Sequence, residues 1–386
     1  MASDFAVAAQ TADDGNTNGA EVAGGESGNG SENCTHAQVT QNADNQNYYC
    51  DQCNAQMFVK VETETAGSTT TTYGTDLAAA MGAATNGTTI TLLADINNTG
   101  KYVILTDDKK TVTLDLNGHT INGGGIRVGI DRNEDNYIYT SSILKIVGSG
   151  SFKMDGEISV GDSATLDLSG WGAGENDTID FVSLRKSGQT VNLESTLLVG
   201  ENMKGTIKIL NVYEWSSSGT SPKLKGGTYA QIIFPVQNDS KSFGSLLAPG
   251  YAFRYTEGAH KGEFVEYTET NPNNTIFYVK VVKCPHAKIE KKTCAYCGTT
   301  DIVATIGSTA YTNITDAVTA WLTNGGILTL HADAGTNAIT DFSSASGKNL
   351  GIDLNGHPIN CDTNGSGEAV NLNGVNLTIR DSKSKN

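Results

Sequence analysis

A spacing of cysteines and histidines that occurs twice constrains this chain more than any other feature. Cys34, His36, Cys50 and Cys53 read C-x-H followed by C-x-x-C, and Cys284, His286, Cys294 and Cys297 read the same way. Each copy offers three thiolates and one imidazole, the donor set of a closed tetrahedral Zn²⁺ site. Three cysteines per copy is an odd number, which fits a metal better than a disulfide framework. The alternative is a redox pair at Cys50–Cys53 or Cys294–Cys297, or disulfides between the sets. A site with all four positions filled by protein is structural. It staples a knuckle that has little core of its own, so folding there depends on metal. The seventh cysteine, Cys361, has no counterpart; its aligned position is Gly123.

The recurrence makes the chain its own alignment. Cys34 and Cys284 stand 250 residues apart, Cys53 and Cys297 stand 244 apart, and Asp115 and Asp353 stand 238 apart. From Tyr73 and Tyr311 onward the offset holds at 238. It pairs Ala94-Asp95 with Ala332-Asp333, and Asp115-Leu116-Asn117-Gly118-His119 with Asp353-Leu354-Asn355-Gly356-His357. Ile143 to Ile146 then matches Asn376 to Ile379. One full unit, about 34–283, is therefore followed by the first portion of a second, 284–386. We expect a fragment of a longer modular protein.

Short segments such as Thr89–Leu93, Tyr102–Leu105, Val112–Leu116, Ile143–Val147, Ala164–Leu168, Thr190–Leu193 and Thr206–Leu210 alternate apolar with polar residues. They end at Gly, Asn or Asp. Their irregular spacing suits a parallel β-helix, in which each coil stacks on the last and buries a row of Leu, Ile and Val. Thr75–Ala84 and its counterpart Asn313–Leu322 have helical spacing, with Asp76 placed to cap the first. Such a helix would cover the open end of the coil stack. The expected fold is mainly β: right-handed parallel β-helix units, each preceded by a small zinc knuckle and a short capping helix. The divisions are a disordered leader (1–33), a knuckle and connector (34–74), a β-helix unit (75–250), closing strands (251–283), a second knuckle (284–310) and a truncated second unit (311–386). Within the closing region, Glu263–Thr268 and Thr275–Val282 read as a strand pair. They run into Cys284, which predicts a rigid rod.

Composition narrows the function. Net charge is −16, which opposes binding to nucleic-acid phosphates or anionic lipid. Glycine is abundant at 44 residues and proline scarce at 6, the usage of a turn-dense β protein. No stretch approaches the ~20 apolar residues of a membrane span. Residues 1–33 lack the apolar core of a signal peptide. The expectation is a monomeric fragment with no nucleic-acid partner and no membrane insertion, its signal and anchor lying outside this chain.

The knuckle, Leu92-Leu93-Ala94-Asp95, Leu114-Asp115-Leu116-Asn117-Gly118-His119 and the Leu246–Phe253 segment occur together. This combination resembles large repeat-containing surface proteins of Gram-positive anaerobes of gut and mouth, over about 34–386. Such relatives are similar to adhesins, and some to immunoglobulin-binding superantigens of gut commensals. The resemblance implies an extracellular, wall-associated binding protein whose partner is an immunoglobulin variable region or a mucin-type glycoprotein.

Candidate residues follow. Gly129–Ser142 is the distinctive insertion of the first unit, and its Arg132, Tyr137 and Tyr139 are types enriched at binding hot spots. Trp171 and Trp215 lie in Gly- and Ser-rich stretches, where they either contact a partner or pack under a loop. Asp131, Asn133 and Asp135 have the spacing of half a calcium loop, but Asn136 replaces the turn glycine and Ser142 the bidentate Glu. A solvated loop is the preferred reading there. A β-helix also supports polysaccharide-cleaving enzymes, which need paired carboxylates. Asp107-Asp108 adjoins Lys109-Lys110 as a solvated turn, and Glu175, Asp177 and Asp180 show no paired geometry. His119 and His357 read as coil-corner residues, not as catalytic bases. No catalytic residue is therefore assigned, and the enzyme and a passive stalk remain the alternatives.

Overall fold

The computed structural model describes residues 34–65, 67–133, 136–184, 195–212, 222–233, 242–268, 274–335, 339, 342–360, 372 and 374–383. The chain is mainly β and forms a parallel β-solenoid of about 9 turns. The expected leader, Thr190–Leu193, Asp135, Trp215 and Cys361 lie outside the described residues.

One sheet of the first unit stacks Thr88–Leu92, Thr111–Asp115, Ile143–Gly148, Thr165–Trp171, Thr196–Val199 and Lys223–Leu224 in parallel order. Register places Thr88, Val112, Leu144, Leu166 and Leu197 in one row, each fully buried. A second face carries the buried row Ile121, Phe152, Ile179, Ile207 and Tyr229. A third carries Val103, Ile126, Ile158, Val182, Leu210 and Ile232. The alternation seen in the sequence is thus an inside–outside alternation about a single aliphatic core.

The coil corners explain the recurrent Leu-Asn-Gly-His. Asn117 and Gly118 both turn through positive φ, 48° and 85°, where Asn and Gly are the tolerated residues. The Asn117 amide then donates to Leu92 O one coil below at 3.0 Å, and Gly118 N donates to Ser149 O one coil above at 2.8 Å. His119 meets Asp95 of the preceding coil, Nδ1 to Oδ1, at 3.3 Å. The second unit repeats this: Asn355 donates to Leu330 O at 2.8 Å, and His357 meets Asp333 at 3.2 Å. Both histidines serve coil-to-coil contacts.

Both ends of the first unit are covered by antiparallel strands. Val59–Thr65 pairs antiparallel with the first coil strand, and Ser68–Gly74 pairs with Val59–Thr65. The connector therefore belongs to the solenoid sheet. Helix α1 (Leu77–Ala83) buries Leu77 and Met81 against this end, and the Asp76 side chain caps it through Ala79 N at 2.8 Å. At the far end, Thr275–Lys283 pairs antiparallel with Thr228–Ile233 on one side and Tyr251–Tyr255 on the other. The sequence paired it with 263–268 instead. That segment forms no strand: it makes an isolated bridge, Phe264 to Arg254, and backbone bonds to Tyr255 and Phe253, while Tyr251–Tyr255 takes the place beside the closing strand.

The second unit rebuilds the first in the same order: Thr309–Tyr311, Ala304–Ile306, Gly326–Leu330, Asn349–Asp353 and Asn376–Arg380. Helix α2 (Ile314–Asn324) is capped by Asn313 through Thr315 N at 2.8 Å, and buries Ala317 and Trp321. Lys348 Nζ closes its last turn by donating to Leu322 O and Thr323 O. Among the described residues no helix is long and apolar enough to cross a membrane.

His331 stands at the position of Leu93 in the first unit. The Asn355 amide donates to its Nδ1 at 3.3 Å, and its Nε2 meets Thr305 Oγ1 at 3.1 Å. Burial above all, then the charges of Lys383 and His357, lowers its pKa to about 4. Unfolded histidine titrates near 6.5, so between these values the unfolded chain binds the extra proton, and stability falls as pH falls. Thermal unfolding of the second unit should therefore move to lower temperature between pH 6.5 and 4, and His331→Leu should remove most of that acid sensitivity. In the first-unit core, Leu144→Ala should cost about 2–5 kcal/mol by urea denaturation.

Candidate metal centres

Each knuckle is a pair of tight turns around its cysteines. In the first, Val39–Gln41 pairs antiparallel with Tyr48–Cys50, which pairs in turn with Gln56–Met57. Cys50 N donates to Ala55 O at 2.9 Å and Asn54 N to Cys50 O at 2.8 Å, with Asn54 at φ 57°. The second knuckle uses the same contacts. Cys294 N donates to Thr299 O and Gly298 N to Cys294 O, both at 2.9 Å, with Gly298 at φ 69°. His36 and His286 also share a left-handed backbone, φ 49° and 48°. That turn swings each imidazole back toward its cysteines.

The donor atoms converge. In each set, one nitrogen or sulfur from every one of the four residues lies within 4.8 Å of the others. Cys34 and Cys50 Sγ are 3.4 Å apart, and Cys284 and Cys294 Sγ are 3.5 Å apart. A disulfide needs about 2.05 Å, whereas sulfurs about 2.3 Å from one tetrahedral ion lie roughly 3.8 Å from each other. All six of these cysteines are free thiols, so the disulfide alternative does not describe this geometry.

The second set gives the sharper test. His286 Nδ1 faces Ser308 O at 2.8 Å, as a ligating histidine's outer nitrogen does. Its Nε2 is buried with no hydrogen-bond partner. The three thiols around it also compete for protons. Contact with Cys294 and Cys297 pushes the Cys284 thiol far up, the bond from Cys284 pulls Cys297 far down, and Cys297 raises His286. An orphaned nitrogen and crowded thiols fit one cation in place of several protons. Cys34, His36, Cys50 and Cys53 would hold one Zn²⁺, and Cys284, His286, Cys294 and Cys297 a second. With four protein donors each, the ions would supply a cross-link.

The two sets differ in surroundings. Cys50, Met57 and Leu93 form the small buried cluster of the first knuckle, while Cys34 and Cys53 remain partly exposed. In the second, Cys284, Cys294 and Cys297 are buried together with Ala252 of the Tyr251–Tyr255 strand and Ile302 at the entry to the second unit. Cys284 N donates to Gly250 O at 2.8 Å and Tyr267 N to Ala295 O at 2.6 Å. Lys288 forms an ion pair with Glu266.

Other sequence candidates fall elsewhere. Gly129–Ser142 contains a β-hairpin, Ile130–Asn133 with Asn136–Tyr139, in which Arg132 is opposite Tyr137 and Ile130 opposite Tyr139. Its ladder keeps Asp131 and Asn133 in extended backbone, which corrects the solvated-loop reading and does not wrap as a calcium loop does. Tyr139 packs beside Gly161. Trp171 is 2% exposed and donates from Nε1 to Gly150 O at 3.0 Å. Its place is under the loop, which corrects the partner-contact reading. Gly150 is glycine because a Cβ there would come within 2.3 Å of His119 O. Asp177 is buried and accepts from Gly150 N and Gly174 N, both at 3.0 Å. Asp180 pairs with Lys208 at 2.6 Å, and Asp107 with Lys110 at 2.5 Å. Asp108 accepts from Ser141, and these bonds lower its pKa. Glu175 is exposed. Asp108 and Asp177 thus tie loops together, and Asp180 links two neighbouring strands of the stack.

No protein-family model matches the chain, and neither a curated protein nor a solved structure matches it.

Purified in zinc buffer, the chain should carry two zinc ions per molecule by elemental analysis. Cys50→Ser and Cys294→Ser should each remove one. Under a chromophoric chelator the partly exposed first set should release its ion in a fast phase and the buried second set in a slower one.

Proposed function

We propose that this chain is part of a non-enzymatic cell-surface binding module, extracellular and wall-associated, that engages a host macromolecule. The supporting observation is the join between units. Lys283 ends the closing strand and Cys284 begins the next metal set, with no residue between them. The second knuckle is then held by the first unit through Gly250 and Tyr267, and by the second through Ser308 and the Ile302 N–H to Lys292 O bond at 3.0 Å. A module built this way holds its loops in fixed positions, so little entropy is lost when a partner binds. Repeated units would multiply weak contacts into avidity.

The acidic residues considered for catalysis favour this reading over a polysaccharide-cleaving enzyme. Asp107, Asp108, Asp177 and Asp180 are each committed to a lysine, a serine or backbone amides, whereas glycoside cleavage needs two carboxylates facing one bond. The candidate partners are an immunoglobulin variable region and a mucin-type glycoprotein, both drawn from the family resemblance.

The immobilised chain, exposed in zinc buffer to serum and intestinal secretions, should retain immunoglobulin or mucin in stoichiometric amount, identified by mass spectrometry. If neither is retained, the binding reading fails and a passive stalk takes its place.

A further inference from the structure

One exposed aromatic patch is used by neither the metal centres nor the core. In the later coils of the first unit two faces merge into single long strands. Each strand rounds the corner between them by turning two consecutive residues outward. The pairs are Asp180-Phe181, Lys208-Ile209 and Ala230-Gln231, flanked by the buried residues Ile179 and Val182, Ile207 and Leu210, and Tyr229 and Ile232. The closing strand crosses the same corner with Phe277 and Tyr278, between buried Ile276 and Val279. Register aligns Phe181, Ile209, Gln231 and Phe277 in one row up the corner. Phe277 and Tyr278 are 48% and 46% exposed, with ring centroids 6.3 Å apart and planes at 38°.

Tyr278 is held there against its backbone preference. Its φ is 53°, a left-handed value rare for a bulky residue. Asp180, Phe181, Lys208, Ile209, Ala230 and Gln231 round the same corner without positive φ. Thr256 clamps the Tyr278 carbonyl with both its N–H, at 2.7 Å, and its hydroxyl, at 2.9 Å. The strain therefore places a ring in solvent, where core packing returns little for it.

We propose that Phe277 and Tyr278 are a stacking platform for a neutral carbohydrate chain that continues along the corner over Ile209 and Phe181. A pyranose ring has an apolar C–H face and a rim of hydroxyls, so it suits an exposed aromatic ring edged by polar groups. Gln231 lies opposite Phe277 in the ladder, Lys280 follows two residues after Tyr278, and the Lys208–Asp180 ion pair at 2.6 Å lies further along. The pairing of that lysine and aspartate leaves the row without a free charge between them. Strands in the stack repeat about every 4.8 Å, close to one sugar unit, so the row meets successive sugars with successive coils. A strip two residues wide is too narrow for a stable protein interface, which covers about 800 Å² per partner. The inference deepens the binding-module reading and rests on it: it selects the glycan of a glycoprotein as the part that is recognised.

The test is calorimetric titration of the zinc-loaded chain with cellohexaose, chitohexaose and O-glycans released from gastric mucin. At least one should bind, and Phe277→Ala combined with Tyr278→Gly should weaken it by about tenfold or more. Glycine accepts the left-handed backbone, so the variant should melt no lower than the parent, which separates loss of contact from loss of fold. The proposal is overturned if none of the three probes binds, or if the double variant binds as tightly as the parent. It is also overturned if a protein captured by the chain survives enzymatic deglycosylation of that protein yet is lost with the double variant. That last result makes the patch a protein contact and leaves the binding-module reading standing.

Discussion

A stack of parallel coils ends in two unpaired strand edges, and covering them governs the rest of this structure. An open edge is a template for unwanted pairing. The first unit covers one end with Val59–Thr65 and the other with Thr275–Lys283, both running antiparallel to the coils they meet. Reversal of direction stops the stack, because no further parallel coil is templated by a reversed strand. Between these limits the coils vary in length and corner shape, since only the buried rows must stay in register. The second unit keeps the same entry cap although its strands shorten, from Val59–Thr65 to Ala304–Ile306.

The metal sets follow from the same constraint. A knuckle placed outside a cap has few apolar neighbours; the first has Cys50, Met57 and Leu93 as its buried cluster. Burial on that scale does not fold a segment alone, and a tetrahedral metal cross-link would make up the difference. At the second set the cap of one unit and the start of the next share the site. Its cysteines are accordingly more buried, and its histidine carries the orphaned nitrogen.

Much of this was legible in the sequence because it repeats. The offset of 238 pointed to equal corners at Asn117 and Asn355, and both make the same bond to the coil below. The metal sets were legible because thiolates and imidazole at that spacing have few other uses. Two kinds of feature were not. For Trp171 the surrounding glycines left partner contact and packing under a loop equally open, because the group that decides it, the Gly150 carbonyl that receives its N–H, is distant in sequence. The partner of Thr275–Lys283 is set by the fold, which brings Tyr251–Tyr255 alongside it, and not by nearness in sequence. The outward corner pairs were hidden for a related reason. Asp180-Phe181 and Lys208-Ile209 break the period of two, and a break in period looks the same in sequence whether it marks a turn, a bulge or a corner inside one strand. The left-handed backbone at Tyr278 has no sequence signal, because tyrosine is not a residue that favours it.

The direct succession of Lys283 by Cys284 has a geometric consequence. With no residue between closing strand and metal set, and Cys284 N bonded to Gly250 O, the join would leave one unit little room to swivel about the next. A chain of such units would advance by a constant rise and a constant rotation, like the steps of a spiral stair. Any surface feature carried by every unit would then recur at a set azimuth as well as a set distance. Its reach toward a many-armed ligand would be decided by that pitch and phase, and adding units would extend the pattern without blurring it.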